Sequence, residues 1–264
     1  MTPLHPVARR FRWLSLAIAI TVLLAGCTLD DDTDPDPTAA PTAVTFGPDD
    51  VAVGTLLEES SAAWDGVDAW TVETRIESPG SGSGNAATSV STERVAASGE
   101  RQVRNMTGEN LVSEEIFVGG RIYMRGTLVS SSIYPEVDDK TWISFTSDQV
   151  PPDTALDQRV TYLTTPAAFP FATVTAETRA LPASPAGEVQ LGDRVCTVYQ
   201  FTTSEIEGEG IEHRIAFDAE KRPCQLVREG GGVIETTVWT YSEVPEPITP
   251  PEEVVEVDTF PTVP

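Results

Sequence analysis

From Trp70 to Glu77 apolar and polar residues alternate: Trp70, Val72 and Ile76 fall on one side of an extended chain, and Glu73, Arg75 and Glu77 on the other. Successive strand side chains point to opposite faces, so this is the pattern of a half-buried antiparallel strand. The stretch before it has a helical period. Val51, Leu56, Leu57, Ala62, Ala63 and Trp64 form an apolar stripe over 49–66, with Asp49 or Asp50 as N-cap and Gly66 as stop. After the Gly- and Ser-rich loop 79–85, strands are expected at 86–97 and 100–107. The sharpest local signal is Ile116-Phe117-Val118-Gly119-Gly120-Arg121-Ile122-Tyr123-Met124. Two glycines between apolar runs suit a two-residue hairpin turn, whose central positions take positive φ. Phe117 then faces Ile122, and Ile116 faces Tyr123. Another strand carries Trp142, Ile143 and Phe145.

The alternation breaks over 150–182. Pro151-Pro152-Asp153 starts a short helix running to Leu163, Pro166-Ala167-Ala168-Phe169-Pro170-Phe171 is an apolar, kinked segment, and Thr173 to Leu181 predicts another short helix. Strands resume at 187–203, 211–218, 223–230 and 233–242, with 218–223 as a turn, and the chain from Pro245 onward is rich in proline and acid.

The N-terminus follows another pattern. Arg9, Arg10 and Arg12 precede an apolar run from Trp13 to Leu24, which ends in Leu24-Ala25-Gly26-Cys27. A spanning helix needs about 20 apolar residues, so the run has the length of a signal-peptide core. The order of basic, apolar and small residues before a cysteine is that of a bacterial lipoprotein signal with a lipobox. On that reading 1–26 is a signal peptide cleaved between Gly26 and Cys27, and Cys27 carries a thioether-linked diacylglyceryl group. Two or three palmitate-type chains on one residue anchor stably, where one chain binds only marginally. The alternative is an ordinary cleaved signal with a nearby cysteine. The protein is then placed at the cell membrane, facing the extracytoplasmic or periplasmic space.

Residues 27–48 read as the lipidated cysteine and an acidic, Pro-rich tether. Asp30, Asp31, Asp32, Asp34 and Asp36 repel one another, and Pro35, Pro37 and Pro41 favour extended backbone. Asp30, Asp32 and Asp34 have the first spacings of a calcium loop, but Pro35 and Pro41 stand where it needs glycine and glutamate. Loss of 1–26 takes three arginines away and moves the net charge from −24 to −27. Such a chain is repelled by nucleic acid, which is excluded as a partner, and by anionic membrane surfaces.

No constellation of catalytic, metal-ligating or cofactor-binding residues stands out, and neither enzyme activity nor a cofactor is expected. His213 alternates with Ile211, Ile215 and Phe217 and reads as a strand histidine on a partly buried face. Gly80-Ser81-Gly82-Ser83-Gly84 has glycine where a nucleophile elbow needs serine. Glu205, Glu207 and Glu209 lie in a glycine-containing loop and read as solvated. Cys196 and Cys224 form either a disulfide, the simplest reading outside the cytoplasm, or two separate buried thiols, because a strand can lie between them.

The order of these pieces resembles a known family. A helix leads into a strand with a Trp70-x-Val72 start, then come the Gly119-Gly120 hairpin, a strand bearing Trp142 and a helical interlude. Gly192-Asp193-Arg194-Val195-Cys196-Thr197-Val198-Tyr199-Gln200-Phe201 follows, then Ile215-Ala216-Phe217-Asp218 and Gln225-Leu226-Val227-Arg228. The close is Trp239-Thr240-Tyr241-Ser242-Glu243-Val244-Pro245-Glu246-Pro247-Ile248, then Pro250-Pro251. Over 49–251 the chain resembles the LolA-like superfamily, nearer its lipid-anchored LppX/LprG branch, with 252–264 left as an acidic tail. The resemblance implies an α+β fold, an open antiparallel β half-barrel with helices covering the concave face and an apolar cavity between them. It further implies a lipid-anchored binding protein that holds or transfers a lipid or other apolar ligand, with a membrane transporter as candidate partner. Residues expected to line the cavity are Trp70, Val72, Ile76, Ile122, Met124, Trp142, Leu163, Phe169, Phe171, Tyr199, Phe201 and Trp239. The alternative is a non-catalytic envelope structural or interaction module, in which these residues make a dry, filled core.

Overall fold

The computed structural model describes residues 45–78, 87–204, 210–242 and 246–260. The expected signal peptide, Cys27, most of the tether, the loop 79–85, the glutamates at 205, 207 and 209, and the stretch 243–245 of the closing motif lie outside the described residues.

Strand β1 (Val51–Ala52) runs directly into helix α1 (Val53–Trp64). A meander follows: β2 (Trp70–Ser78), β3 (Ala87–Val95), β4 (Arg101–Thr107), β5 (Asn110–Val118), β6 (Arg121–Arg125) and β7 (Ile143–Phe145). The interlude holds α2 (Ala155–Thr164) and α3 (Ala176–Arg179). Then come β8 (Pro182–Leu191), β9 (Arg194–Ser204), β10 (Gly210–Phe217), β11 (Pro223–Gly230), β12 (Val233–Tyr241) and β13 (Val255–Glu256). All pair in one open 13-stranded sheet, in the order β1-β8-β9-β10-β11-β12-β2-β3-β4-β5-β6-β7-β13. Every pairing is antiparallel except β13 on β7. No described helix is long and apolar enough to cross a membrane.

The hairpin at Gly119 and Gly120 has the expected register, Phe117 opposite Ile122 and Ile116 opposite Tyr123, with φ of 58° and 78° at the glycines. The helix expected over 49–66 is shorter. Val51 and Ala52 pair with Ala183 and Pro182, and the Val53 N–H donates to Leu181 O at 2.9 Å, which satisfies one of the helix's orphan donors without a side-chain cap. Asp50 instead accepts from Ser184 at 2.6 Å and from the Gly47 N–H at 2.7 Å. The second interlude helix shrinks to Ala176–Arg179, because the chain leaves it at once to begin β8, five residues before the expected strand start. Helix α2 starts after the expected Pro-Pro-Asp, at a Thr154 cap whose hydroxyl accepts from the Asp157 N–H at 3.1 Å.

Cross-strand register defines one face. Trp239, Val72, Glu93, Val103, Glu115, Met124 and Ile143 are successive partners from β12 to β7, and Tyr241, Trp70, Val95, Arg101, Phe117, Ile122 and Phe145 form the neighbouring row. Residues 246–260 cross from one face to the other. Ile248 packs with Ile116 and Tyr123 on the opposite face, β13 extends the sheet edge, and Val257, 2% exposed, enters a cluster with Ile122 and Phe145. Every described strand, helix and core cluster lies within 51–260, so a chain beginning at residue 28 retains them all.

A disulfide joins Cys196 to Cys224, and strand β10 does lie between them. Ala216 of β10, a one-methyl side chain, is buried in the same cluster as the two cysteines. A register shift between Ala216 and Phe217 sets them opposite Gln225 and Pro223, which leaves Cys224 as the extra residue of a bulge.

Candidate functional site

Two apolar clusters share the face just defined. In the first, Val53, Leu56, Leu57 and Trp64 of α1 meet Trp70, Val72, Phe201, Ile215, Phe217 and Trp239 of the sheet, and Tyr199 packs at its border. Phe169 and Phe171 enter the same cluster from residues 165–175, a stretch with no helix or strand. The aromatic rings meet edge-on or tilted: Trp64 lies 5.6 Å from Trp70 and 6.1 Å from Phe169, Phe169 lies 5.5 Å from Phe171, and Phe171 lies 5.7 Å from Trp239. In the second cluster, Val160 and Leu163 of α2 meet Ile122, Met124, Ile143 and Phe145. Of the residues expected to line a cavity, these positions collect all but two. Ile76 is half-buried, on the same face but in neither cluster. Trp142 packs on the opposite face near Ile116 and Tyr123, with the Arg125 guanidinium 4.7 Å over its ring. It directly precedes Ile143, whose side chain lies on the helix-bearing face, so strand alternation sends Trp142 to the other side and its expected place beside Ile122 and Met124 is out of phase.

A polar band that the sequence reading did not pick out borders these clusters. Glu93, Arg101 and Glu115 point to the helix-bearing face and are almost wholly buried. Arg101 Nε lies 3.1 Å from Glu93 Oε1, and the Arg101 guanidinium stacks 4.7 Å over Tyr162 of α2 while donating to its carbonyl. The Tyr162 hydroxyl donates to Glu93 Oε2 at 2.7 Å. On the next turn Arg159 pairs with Glu115 and donates to Ser113 Oγ at 3.1 Å. Two buried carboxylates thus pin one short helix to the sheet. Burial pushes the Glu93 carboxyl above its ordinary pKa, against the Tyr162 hydrogen bond and the Arg101 charge. Burial, and then the neighbouring Glu93 charge, pushes the Tyr162 phenol up. The one available signal was a phase argument: Glu93 alternates with Val95, and Glu115 with Phe117, so both acids fall on the apolar face.

The row Thr237, Thr74, Ser91, Asn105 and Ser113 continues the band across five strands. Thr74 and Thr237 hydroxyls meet at 3.0 Å, and Asn105 Nδ2 donates to Ser113 Oγ at 2.9 Å. His213 stacks on Phe201 at 4.7 Å with Nε2 2.9 Å from Thr203 Oγ1. Burial and the Arg228 charge bring its pKa down to about 4, so it is a neutral strand residue near pH 7.

At the end of the sheet beside the α1–β2 connection an open cleft of about 810 Å³ is lined by the 66–69 connection, the β8–β9 turn, Arg222 and the last residues of β12. Among the described residues no group of three or more His, Cys, Asp or Glu is placed to hold a metal.

No protein-family model and no curated protein matches the sequence. Among solved structures the chain is similar to the lipoprotein LppX of Mycobacterium tuberculosis, at 11% identity and a TM-score of 0.42 over 74% of this chain and 97% of that one. It is similar to LprF of Mycobacterium bovis, at 12% identity and 0.38 over 77% and 97%. It is also similar to a chain of the Pseudomonas aeruginosa MucA/MucB complex, at 15% and 0.37 over 74% and 59%.

Proposed function

We propose that the chain is a lipid-anchored extracytoplasmic binding protein. On this reading it is a half-barrel of the LolA-like kind, with α1 and α2 covering the concave face. The aromatic cluster takes a lipid or other apolar ligand, with no covalent step. The observation that carries this reading is the cover over that cluster. Phe169 and Phe171 are inserted from a segment whose backbone hydrogen bonds are internal to it, Ala172 N–H to Phe169 O and Val174 N–H to Phe171 O, or run to the flanking helices, Thr165 N–H to Thr161 O and Arg179 N–H to Thr175 O. It is held to the sheet by side chains alone, so opening it costs the burial of those side chains and breaks no ladder hydrogen bond. Withdrawing the two rings exposes Trp64, Trp70 and Trp239, a slot walled by aromatic side chains. An acyl chain entering it gains roughly 0.8 kcal/mol per buried CH₂. An anchor at Cys27 keeps such a carrier near one membrane, which favours short handover to a transporter there over long-range shuttling.

The test is native mass spectrometry of residues 28–264 purified without detergent, together with uptake of a fluorescent fatty acid. A bound acyl species or saturable uptake supports the reading; a bare mass and no uptake overturn it. The edge-to-face packing of the rings favours a second reading, an interaction module with a filled core. A ligand-free protein that retains a stable envelope partner is the outcome that reading expects.

A further inference from the structure

The cleft beside the α1–β2 connection contains a charge arrangement that apolar binding does not use. Tyr241 is one of its lining residues. The Arg194 guanidinium lies 5.2 Å from the Tyr241 ring centroid and that of Arg222 lies 5.0 Å from it. The same ring lies 6.3 Å from Trp64, so Tyr241 separates the cleft from the aromatic cluster. Its hydroxyl is fixed by a 2.6 Å hydrogen bond to Pro223 O. Two cations on one ring repel each other and are tolerated where anions neutralise them. Arg222 has its anions in the chain, Asp218 at 2.9 Å and Glu220 at 3.2 Å. Arg194 donates to Trp239 O and approaches Cys224 Sγ at 3.9 Å, but pairs with no carboxylate among the described residues. In a chain of net charge −24 a half-buried arginine with no acid on it among the described residues stands out. A guanidinium has five N–H donors, and these contacts leave several for an incoming anion.

We propose that this cleft holds the monoanionic head of an amphiphile, a carboxylate or phosphodiester, at Arg194, while the chain of the same molecule passes Tyr241 into the aromatic cluster. The proposal rests on the ligand-binding reading above and adds the head-group chemistry. Charge-assisted bonds from a planar guanidinium suit an oxyanion with two acceptor oxygens. Asp68 and Asp193 also line the cleft and are exposed, and their repulsion disfavours a dianionic phosphate monoester.

The experiment uses the chain from residue 28 and two probes, the fluorescent polyene fatty acid cis-parinaric acid and its uncharged methyl ester, titrated near pH 8 where the acid is ionised. The acid is expected to bind about tenfold more tightly than the ester, as one charge-assisted contact implies. Arg194→Gln is expected to bring acid affinity down to that of the ester and so abolish that preference, and Arg194→Lys to restore part of it. A circular dichroism spectrum and melting temperature matching those of the unsubstituted chain show that the variant is folded. Acid and ester binding equally to the unsubstituted chain, or a preference that survives Arg194→Gln, overturns the head-group site and leaves the apolar-ligand reading intact. Failure of both probes to bind overturns both. Acetate or inorganic phosphate competing at the concentrations at which the long-chain acid binds identifies a free-anion site instead and also overturns the proposal.

Discussion

Replacing Arg101 by leucine tests how α2 is held on the sheet. Arg101 and Glu93 have side chains only 5% and 4% exposed and meet at 3.1 Å, with the Tyr162 hydroxyl as the other partner of the carboxylate. Removing the arginine leaves a buried carboxylate with one neutral donor, and uncompensated buried charges of this kind cost about 3–5 kcal/mol. At roughly 2–4 °C per kcal/mol for a domain of this size, the melting temperature should fall by about 10 °C near pH 8. Burial already raises the Glu93 pKa, and Arg101 opposes that rise, so its loss raises the pKa further. A carboxyl whose folded pKa lies above its unfolded value contributes fully at low pH and loses that contribution as pH rises through the folded pKa. The other ionisable groups facing this pair are Tyr162, Glu115 and Arg159, and all three are unchanged in the variant. Urea unfolding followed by circular dichroism should therefore show a smaller deficit, relative to the unsubstituted protein, at pH 5 than at pH 8. A double variant that also carries Glu93→Gln should regain much of the loss. A deficit below about 1 kcal/mol at pH 8, or one equal at the two pH values, would refute the reasoning.

Other consequences follow from separate parts of the fold. Cys196→Ser with Cys224→Ser should cost about 3.5 kcal/mol, the loop-closure value for the 28-residue separation, and a reductant should destabilise the unsubstituted protein but not the variant in a melting assay. Gly126→Ala should cost about 2–4 kcal/mol, because φ there is +114° and a Cβ would stand 2.6 Å from Val112 O, whereas Gly99→Ala, at φ +85° with open space around it, should cost about 1 kcal/mol by the same urea titration. The His213 imidazole should stay neutral by NMR down to about pH 5. Because its folded pKa is depressed to about 4, its contribution to stability is present above the ordinary histidine pKa and lost as pH falls toward 4, a slope that His213→Phe should remove.

What the sequence made legible was period and phase. The alternation through β2, and the two glycines with apolar residues on either side, sufficed for the hairpin register and for the face shared by Trp70, Val72, Trp239, Ile122 and Met124. What it hid were features decided by distant neighbours. Helix α1 begins late because Val51 and Ala52 find partners in Pro182 and Ala183, about 130 residues away in the chain. The disulfide could not be assigned from register alone, since a bulge and a one-methyl residue let it pass over β10. Glu93 and Glu115 are held on the inward face by Arg101 and Arg159, and the sequence of one strand does not show such a partner, without which a charge does not belong there. Val255 and Val257 sit among acids and prolines that suggest a tail, yet they reach the sheet edge through parallel pairing with β7.

The central claim is that an apolar ligand lies between the sheet and the segment carrying Phe169 and Phe171. A photoactivatable fatty acid, irradiated on the protein and mapped by peptide mass spectrometry, tests it most directly. The account predicts label on 165–181 and on the β12 peptide containing Trp239, competed by unlabelled fatty acid. Label confined to the opposite face around Trp142 and Ile248, or label that unlabelled fatty acid does not displace, would contradict it.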